Sequence, residues 1–295
     1  MNQSLFDPEQ WKTAWVNDPE AGVNRMLRSG IEPVNAFNEA ARARSFHEKA
    51  FGVEGRSRAV RIMEWMRTQG VSFANTSVLD IGAASGGFTL PFAEQGAMVT
   101  AVEPSVHLAG LMRESTPADL TDRIEIVQEP FEDIVLEEKG WAGKYDLVFA
   151  SMCPAIFGWE MVEKAIQCAS RFCYISTIAS PRELSIIEEL RPVLGMQDKP
   201  AYSSDMAYIM QLLNLYGYSF QSLITRESEV IRMSLDQVVR NLRGWFLFDG
   251  IPADSDSLRE AEHYLRKTYT DPMVEIQQSG RFGKVLIRLQ DQAMS

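Results

Sequence analysis

Between residues 78 and 176 the chain repeats one pattern, a run of four or five mostly apolar residues followed by a longer mixed stretch. The runs occupy 78–81, 98–102, 124–127, 147–150 and 172–176, and successive runs start 20 to 26 residues apart. Runs this short and this apolar suit strands buried on both faces, and each interval has room for a helix with a loop at either end. Strands joined by crossover helices lie parallel, with helices packed on both sides of the sheet. The spacing therefore predicts an α/β fold with a doubly wound, mostly parallel sheet.

Segments on either side extend this frame. Upstream, Ala59, Ile62, Met63 and Met66 recur at helical spacing within 56–69, with Gly55 before and Gly70 after as breakers. Residues 35–50 are rich in helix formers, and Asp7-Pro8 reads as an N-cap with proline at the first helical position. Residues 1–72 are thus expected to form a helical N-terminal region, and 73–295 the main domain. Downstream, helices are expected at 183–190 and 205–216, a sixth strand at 219–225, and a helical insertion over about 231–272. Within that insertion the run Trp245-Phe246-Leu247-Phe248 is expected in the core or at a subunit contact. The segment 273–276, then Ser279-Gly280, then 284–289 reads as a hairpin. It would add an antiparallel C-terminal strand and complete a seven-stranded sheet.

Charge and cysteine content narrow the function. The chain has 29 Lys and Arg against 40 Asp and Glu, a formal net charge of −11 that opposes attachment to phosphate backbones or anionic lipid. Cys153, Cys168 and Cys173 are too few for a disulfide framework, and nothing has zinc-ligand spacing. The first thirty residues lack the basic and apolar regions of a signal peptide, and no stretch is apolar enough for a membrane helix. The expectation is a cytoplasmic protein that binds neither nucleic acid nor membrane and holds no metal. The oligomeric state is left open.

The chemistry concentrates at Val78-Leu79-Asp80-Ile81-Gly82-Ala83-Ala84-Ser85-Gly86-Gly87-Phe88-Thr89, a strand passing through a small-residue turn toward a helix. Small side chains let a ligand lie against the backbone. Glu103, at the end of the next strand and 21 residues beyond Gly82, is spaced to accept hydrogen bonds from ribose hydroxyls. A dinucleotide turn would carry G-x-G-x-x-G, but here Ala84 stands where pyrophosphate must approach. Asp80 would repel a pyrophosphate and favour a cation.

Asp80-x-Gly82-x-Ala84-x-Gly86 followed by Glu103 resembles motifs I and II of the class I, Rossmann-like S-adenosylmethionine-dependent methyltransferases. The resemblance implies S-adenosyl-L-methionine as cofactor and an antiparallel seventh strand beside the fifth. It places the methionine moiety over Gly82, Ala83, Ala84, Ser85 and Gly86, with Asp80 near its amino end, Glu103 on the ribose and Pro104 on the adenine. Phe131 would stack on the base and Glu132 accept from its amine, although a capped turn with a core aromatic fits these two residues as well. Ser151, Met152, Cys153 and Pro154 follow the fourth strand and should face the methyl group. Ala84 replaces the usual middle glycine, which is accommodated if its φ is negative.

The resemblance also implies that the N-terminal helices form a lid over the site, closing it with Phe46 and His47, and Tyr202, Tyr208 and Tyr216 would reach it from beyond the fifth strand. His107 and His263 are expected at the surface, and Cys168 and Cys173 in the core. No catalytic base is assigned. The reading is a methyltransferase acting on a small-molecule substrate. Its alternatives are a protein or RNA methyltransferase, a non-catalytic S-adenosylmethionine-binding sensor and, further off, an NAD-dependent oxidoreductase.

Overall fold

The structure, a computed structural model, describes residues 3–196 and 204–290. Four α-helices precede the sheet, α1 (Pro8–Asn17), α2 (Gly22–Arg28), α3 (Ala40–Phe51) and α4 (Val53–Thr68). Asp7 caps α1 by accepting from the Glu9 N–H, and Pro8 occupies the first helical turn. Gly55 does not break the chain but lies inside the first turn of α4. A Cβ there would stand 2.2 Å from the Ala50 carbonyl oxygen, so glycine is what lets α4 start directly after α3.

The sheet contains β1 (Ser77–Ile81), β2 (Met98–Val102), β3 (Ile124–Val127), β4 (Tyr145–Ser151), β5 (Ala169–Leu184), β6 (Ser219–Ser234) and β7 (Met273–Arg288), in the order β3-β2-β1-β4-β5-β7-β6. The pairs from β3 through β5 are parallel, and β7 is antiparallel between β5 and β6. The connecting helices are α5 (Thr89–Glu94), α6 (Val106–Ser115), α7 (Leu136–Lys139), α8 (Trp159–Cys168), α9 (Ser185–Val193), α10 (Asp205–Leu215), α11 (Leu235–Phe248) and α12 (Ser255–Thr268). The mostly parallel sheet is the one the spacing predicts, and the antiparallel seventh strand beside the fifth is the one the resemblance implies.

The expected terminal hairpin is absent. Residues 273–288 form one continuous strand, in which Ser279 pairs with Glu183 on one side and Ser228 on the other. With a partner on each edge, Ser279-Gly280 stays in the ladder, whereas a chain reversal would leave both flanking strands unpaired there. β5 and β6 likewise run well past their expected ends at Ser176 and Thr225, to Leu184 and Ser234. The start of the expected helical insertion therefore belongs to β6.

Apolar side chains alternate between the two faces of the sheet. Leu79, Ile81 and Val148 pack with Trp159 and Val162 on one face, and Val78, Leu147, Phe149 and Tyr174 with Met63, Met66 and Phe92 on the other. A third core lies apart from both. Leu184, Ile187, Val238, Leu242, Phe246 and Leu265 gather where the long strands meet α9, α11 and α12. Ser234 opens α11 with a capping box, and Asp254 caps α12. The aromatic run 245–248 is the last turn of α11, with Phe246 in this core.

The N-terminal helices attach at two places. Trp15 Nε1 and the Gly22 N–H donate to the buried Asp205 carboxylate at 2.7 and 3.0 Å, and Arg25 donates to the Phe248 carbonyl and to Asp249, each at 3.1 Å. α4 instead lies against the parallel half of the sheet, where Ile62, Met63 and Met66 pack on Val78 and its neighbours.

Candidate functional site

β1 and β2 end side by side, Ile81 opposite Val102. The chain leaves β1 through a turn in which the Gly82 and Ala83 N–H groups both donate to the Val102 carbonyl, at 2.9 and 3.0 Å. Gly82 has φ +69° and Gly86 φ +91°, the left-handed region that glycine enters without strain. A Cβ on Gly82 would meet Cys153 Sγ at 2.4 Å, and one on Gly86 would meet Leu90 Cδ1 at 2.6 Å. Ala84 also has a positive φ, +50°, so the condition under which alanine replaces the glycine without strain is not met. Its amide donates to Glu103 Oε2 at 2.9 Å, and that bond holds the residue in a strained conformation.

Glu103 is buried, and its other oxygen accepts from the Ser105 N–H at 2.8 Å. Burial raises its pKa, and the two N–H groups oppose the rise. Each carboxylate oxygen keeps a lone pair for a further donor. Asp80 is buried beneath the turn, where its Oδ2 accepts from Thr89 Oγ1 at 2.6 Å. Burial lifts its pKa to about 7, against the Thr89 hydrogen bond. Ser85 Oγ is buried without a hydrogen-bond partner. A cradle with two left-handed glycines, an orphan hydroxyl and a buried carboxylate at the next strand end fits a cationic nucleoside.

α3 lies over this turn. Its Ala50 is close to Gly87, where an added Cβ would come within 3.4 Å of the Ala50 Cβ. Ser105 Oγ donates to the Phe37 carbonyl at 3.0 Å, and Phe37 meets Phe46 edge-on with ring centroids 5.0 Å apart. The His47 ring lies 4.6 Å from that of Phe51, and its Nδ1 is buried without a partner.

Phe131 does not lie open to a base: it is buried in the core beside Ile134 and Trp141, with Lys164 over its ring at 5.0 Å. Lys164 donates to the Phe131 and Glu132 carbonyls at 2.8 and 2.9 Å. The Glu132 side chain is exposed, and Pro104 is half-buried beside Glu103.

At the tip of β4, Ser151 Oγ lies 3.1 Å from Ser176 Oγ, and Met152 has φ +54° with its N–H donating to the Ser176 carbonyl. Cys153 is half-buried against Gly82, and Pro154 is exposed. Burial pushes the Cys153 thiol up to about 12, so it stays protonated at neutral pH. Tyr208 and Tyr216 are engaged elsewhere, Tyr208 stacked on Trp15 and donating to Asp18, Tyr216 stacked on Trp159. Tyr202 lies outside the described residues. His107 and His263 are exposed, and Cys168 and Cys173 are buried.

Sequence reasoning missed the roles of Thr89 and Ser105. A hydroxyl residue at the start of each helix after β1 and β2 was the available signal. Among the described residues, no helix is long and apolar enough to cross a membrane.

Residues 78–174 match the family model described as a methyltransferase domain. No curated protein sequence matches the chain. Among solved structures, the plantazolicin methyltransferase BpumL, in complex with a desmethyl analogue and S-adenosylhomocysteine, is 14% identical with a TM-score of 0.50, the likeness covering 96% of this chain and 100% of that one. Magnesium protoporphyrin IX methyltransferase from Synechocystis PCC 6803, with bound S-adenosylmethionine, is 18% identical with a TM-score of 0.43, over 73% of this chain and 90% of that one. Residues 78–174 are thus similar to a methyltransferase domain, and the chain as a whole shares the fold of the plantazolicin methyltransferase BpumL.

Proposed function

We propose that the chain transfers a methyl group from S-adenosylmethionine to a small-molecule acceptor. The observation that carries this reading is Glu103, a buried carboxylate that accepts from the Ala84 and Ser105 amides beside the glycine turn. There it would receive the ribose hydroxyls, while Gly82, Ala83, Ala84, Ser85 and Gly86 would line the methionine moiety and Pro104 the adenine. Asp80 would favour the cofactor's positive charge from below. When bound, the cofactor supplies an electrophilic methyl group.

The chain's own contribution is alignment and exclusion of water. Ser151, Met152, Cys153 and Pro154 would border the acceptor, with Met152 held out by its left-handed backbone. The N-terminal helices would act as a lid, α3 closing the other side through Phe46 and His47. The Cys153 thiol is not a nucleophile at neutral pH, and no general base is assigned. A net charge of −11 favours a small acceptor over RNA, and three free cysteines suit a cytoplasmic setting.

Calorimetric titration with S-adenosylmethionine and with NAD tests the reading. Binding of the first alone, weakened about a hundredfold in Glu103→Ala, is the expected result. Tight NAD binding, or equal S-adenosylmethionine affinity in the variant, would overturn it.

A further inference from the structure

At the level where β4 ends, one row of polar side chains crosses the sheet. Ser151 pairs with Ser176 across β4 and β5, and Ser176 pairs with Lys284 across β5 and β7. Paired residues share a face, and Tyr174, two residues before Ser176, packs with Met63 and Met66 on that face, so the row lies on the side of α4. Lys284 is only 8% exposed and Ser176 5%. The Lys284 ammonium donates to Thr225 Oγ1 at 2.9 Å, a neutral hydroxyl that in turn donates to Glu227 Oε1 at 3.5 Å, and among the described residues no carboxylate lies within ion-pair distance of the ammonium itself.

The surroundings add positive charge. Burial lowers the Lys284 pKa, Glu227 on β6 opposes this, and Arg61 and Arg58 of α4 lower it further. Arg61 is paired with Glu54 at 2.8 Å. Arg58 has no such partner among the described residues: its Nε is buried without a hydrogen bond, and its guanidinium lies 5.8 Å from the centre of the Phe88 ring. The buried Tyr174 hydroxyl makes no well-formed hydrogen bond and interacts with the Ser176 side chain. A buried ammonium held by a neutral hydroxyl is poorly compensated, and an anion beside it would satisfy the ammonium, the guanidinium and the hydroxyls together.

The row is continuous with the cofactor turn, since Ser151 leads through Met152 to Cys153, which abuts Gly82. We propose that the methyl acceptor carries a carboxylate, seated on Lys284 and Arg58 with the Ser176 and Tyr174 hydroxyls as further donors. This rests on the reading of the β4 tip as the acceptor's side of a methyltransferase site.

The test uses the full chain saturated with S-adenosylhomocysteine, titrated calorimetrically with benzoate, phenylacetate and hexanoate, with their neutral amides, and with inorganic phosphate. At least one carboxylate should bind about tenfold more tightly than its amide. That preference should fall about tenfold in Lys284→Gln and in Arg58→Gln, and survive in Lys284→Arg. S-adenosylhomocysteine affinity, unchanged in these variants, shows that they remain folded. A preference that is absent in the native chain, that persists in Lys284→Gln, or that belongs to phosphate alone overturns the proposal. Failure of S-adenosylhomocysteine to bind overturns the methyltransferase reading instead, and the carboxylate preference remains measurable in the unloaded chain.

Discussion

The two halves of the sheet are built to different lengths. β1 to β4 have four to seven residues, whereas β5, β6 and β7 have sixteen each. In the first half the chain leaves every strand at about the same level, and the exits supply the glycine turn, Glu103 and the Ser151 tip. In the second half β5 continues past Ser176 to Leu184, about 25 Å at the usual rise per residue. This extension carries its own core with α9, α11 and α12. Short strands leave a ledge for a ligand, and long ones raise a wall beside it.

If the wall is packed independently of the ledge, damage to one should spare the other. Phe246 is fully buried in the wall's core. Phe246→Ala should cost about 3–5 kcal/mol of stability in denaturant unfolding, with S-adenosylhomocysteine affinity within about twofold of native for so distant a site. A large loss of affinity would mean that the two halves act as one unit. Glu103→Ala reverses the pattern. On the proposed reading it removes two charge-assisted acceptors for the ribose, a loss of roughly 3 kcal/mol or about a hundredfold in cofactor affinity by calorimetry, and should leave the wall's unfolding transition unchanged.

Asp80 gives a smaller effect with a definite pH signature. Its folded pKa, about 7, lies above the ordinary carboxylate value, so the stability linked to its protonation is present at low pH and lost as pH rises toward 7. A bound cation favours the ionised form, so cofactor affinity should rise with pH through that range. Asp80→Asn preserves an acceptor for Thr89 but removes the charge. It should abolish the pH dependence and weaken binding about tenfold at pH ~8, and a parallel pH profile in the variant would exclude Asp80 as its source.

The ledge was legible in the sequence because its determinants are local. The five short runs, the turn from Gly82 to Gly86 and the acid at 103 can be read from spacing alone. The wall was not, since whether Ser279-Gly280 turns or continues depends on partners distant in sequence, Glu183 and Ser228. The same limit hid the contacts of Phe131, which depend on Lys164, and the row formed by Ser151, Ser176 and Lys284, whose members come from three strands.

The smallest effect concerns Ala84, the one alanine among the described non-glycine residues with positive φ, the others being Asn75 and Met152. Left-handed backbone costs an alanine about 1 kcal/mol relative to glycine, partly offset by the greater chain entropy glycine loses on folding. Ala84→Gly should therefore stabilise the fold by up to about 1 kcal/mol in denaturant unfolding. The amide that Ala84 presents to Glu103 would remain, so the carboxylate should keep its orientation and cofactor affinity should change little. A drop in affinity together with a gain in stability would show that the Ala84 methyl, and not only its backbone, shapes the ledge.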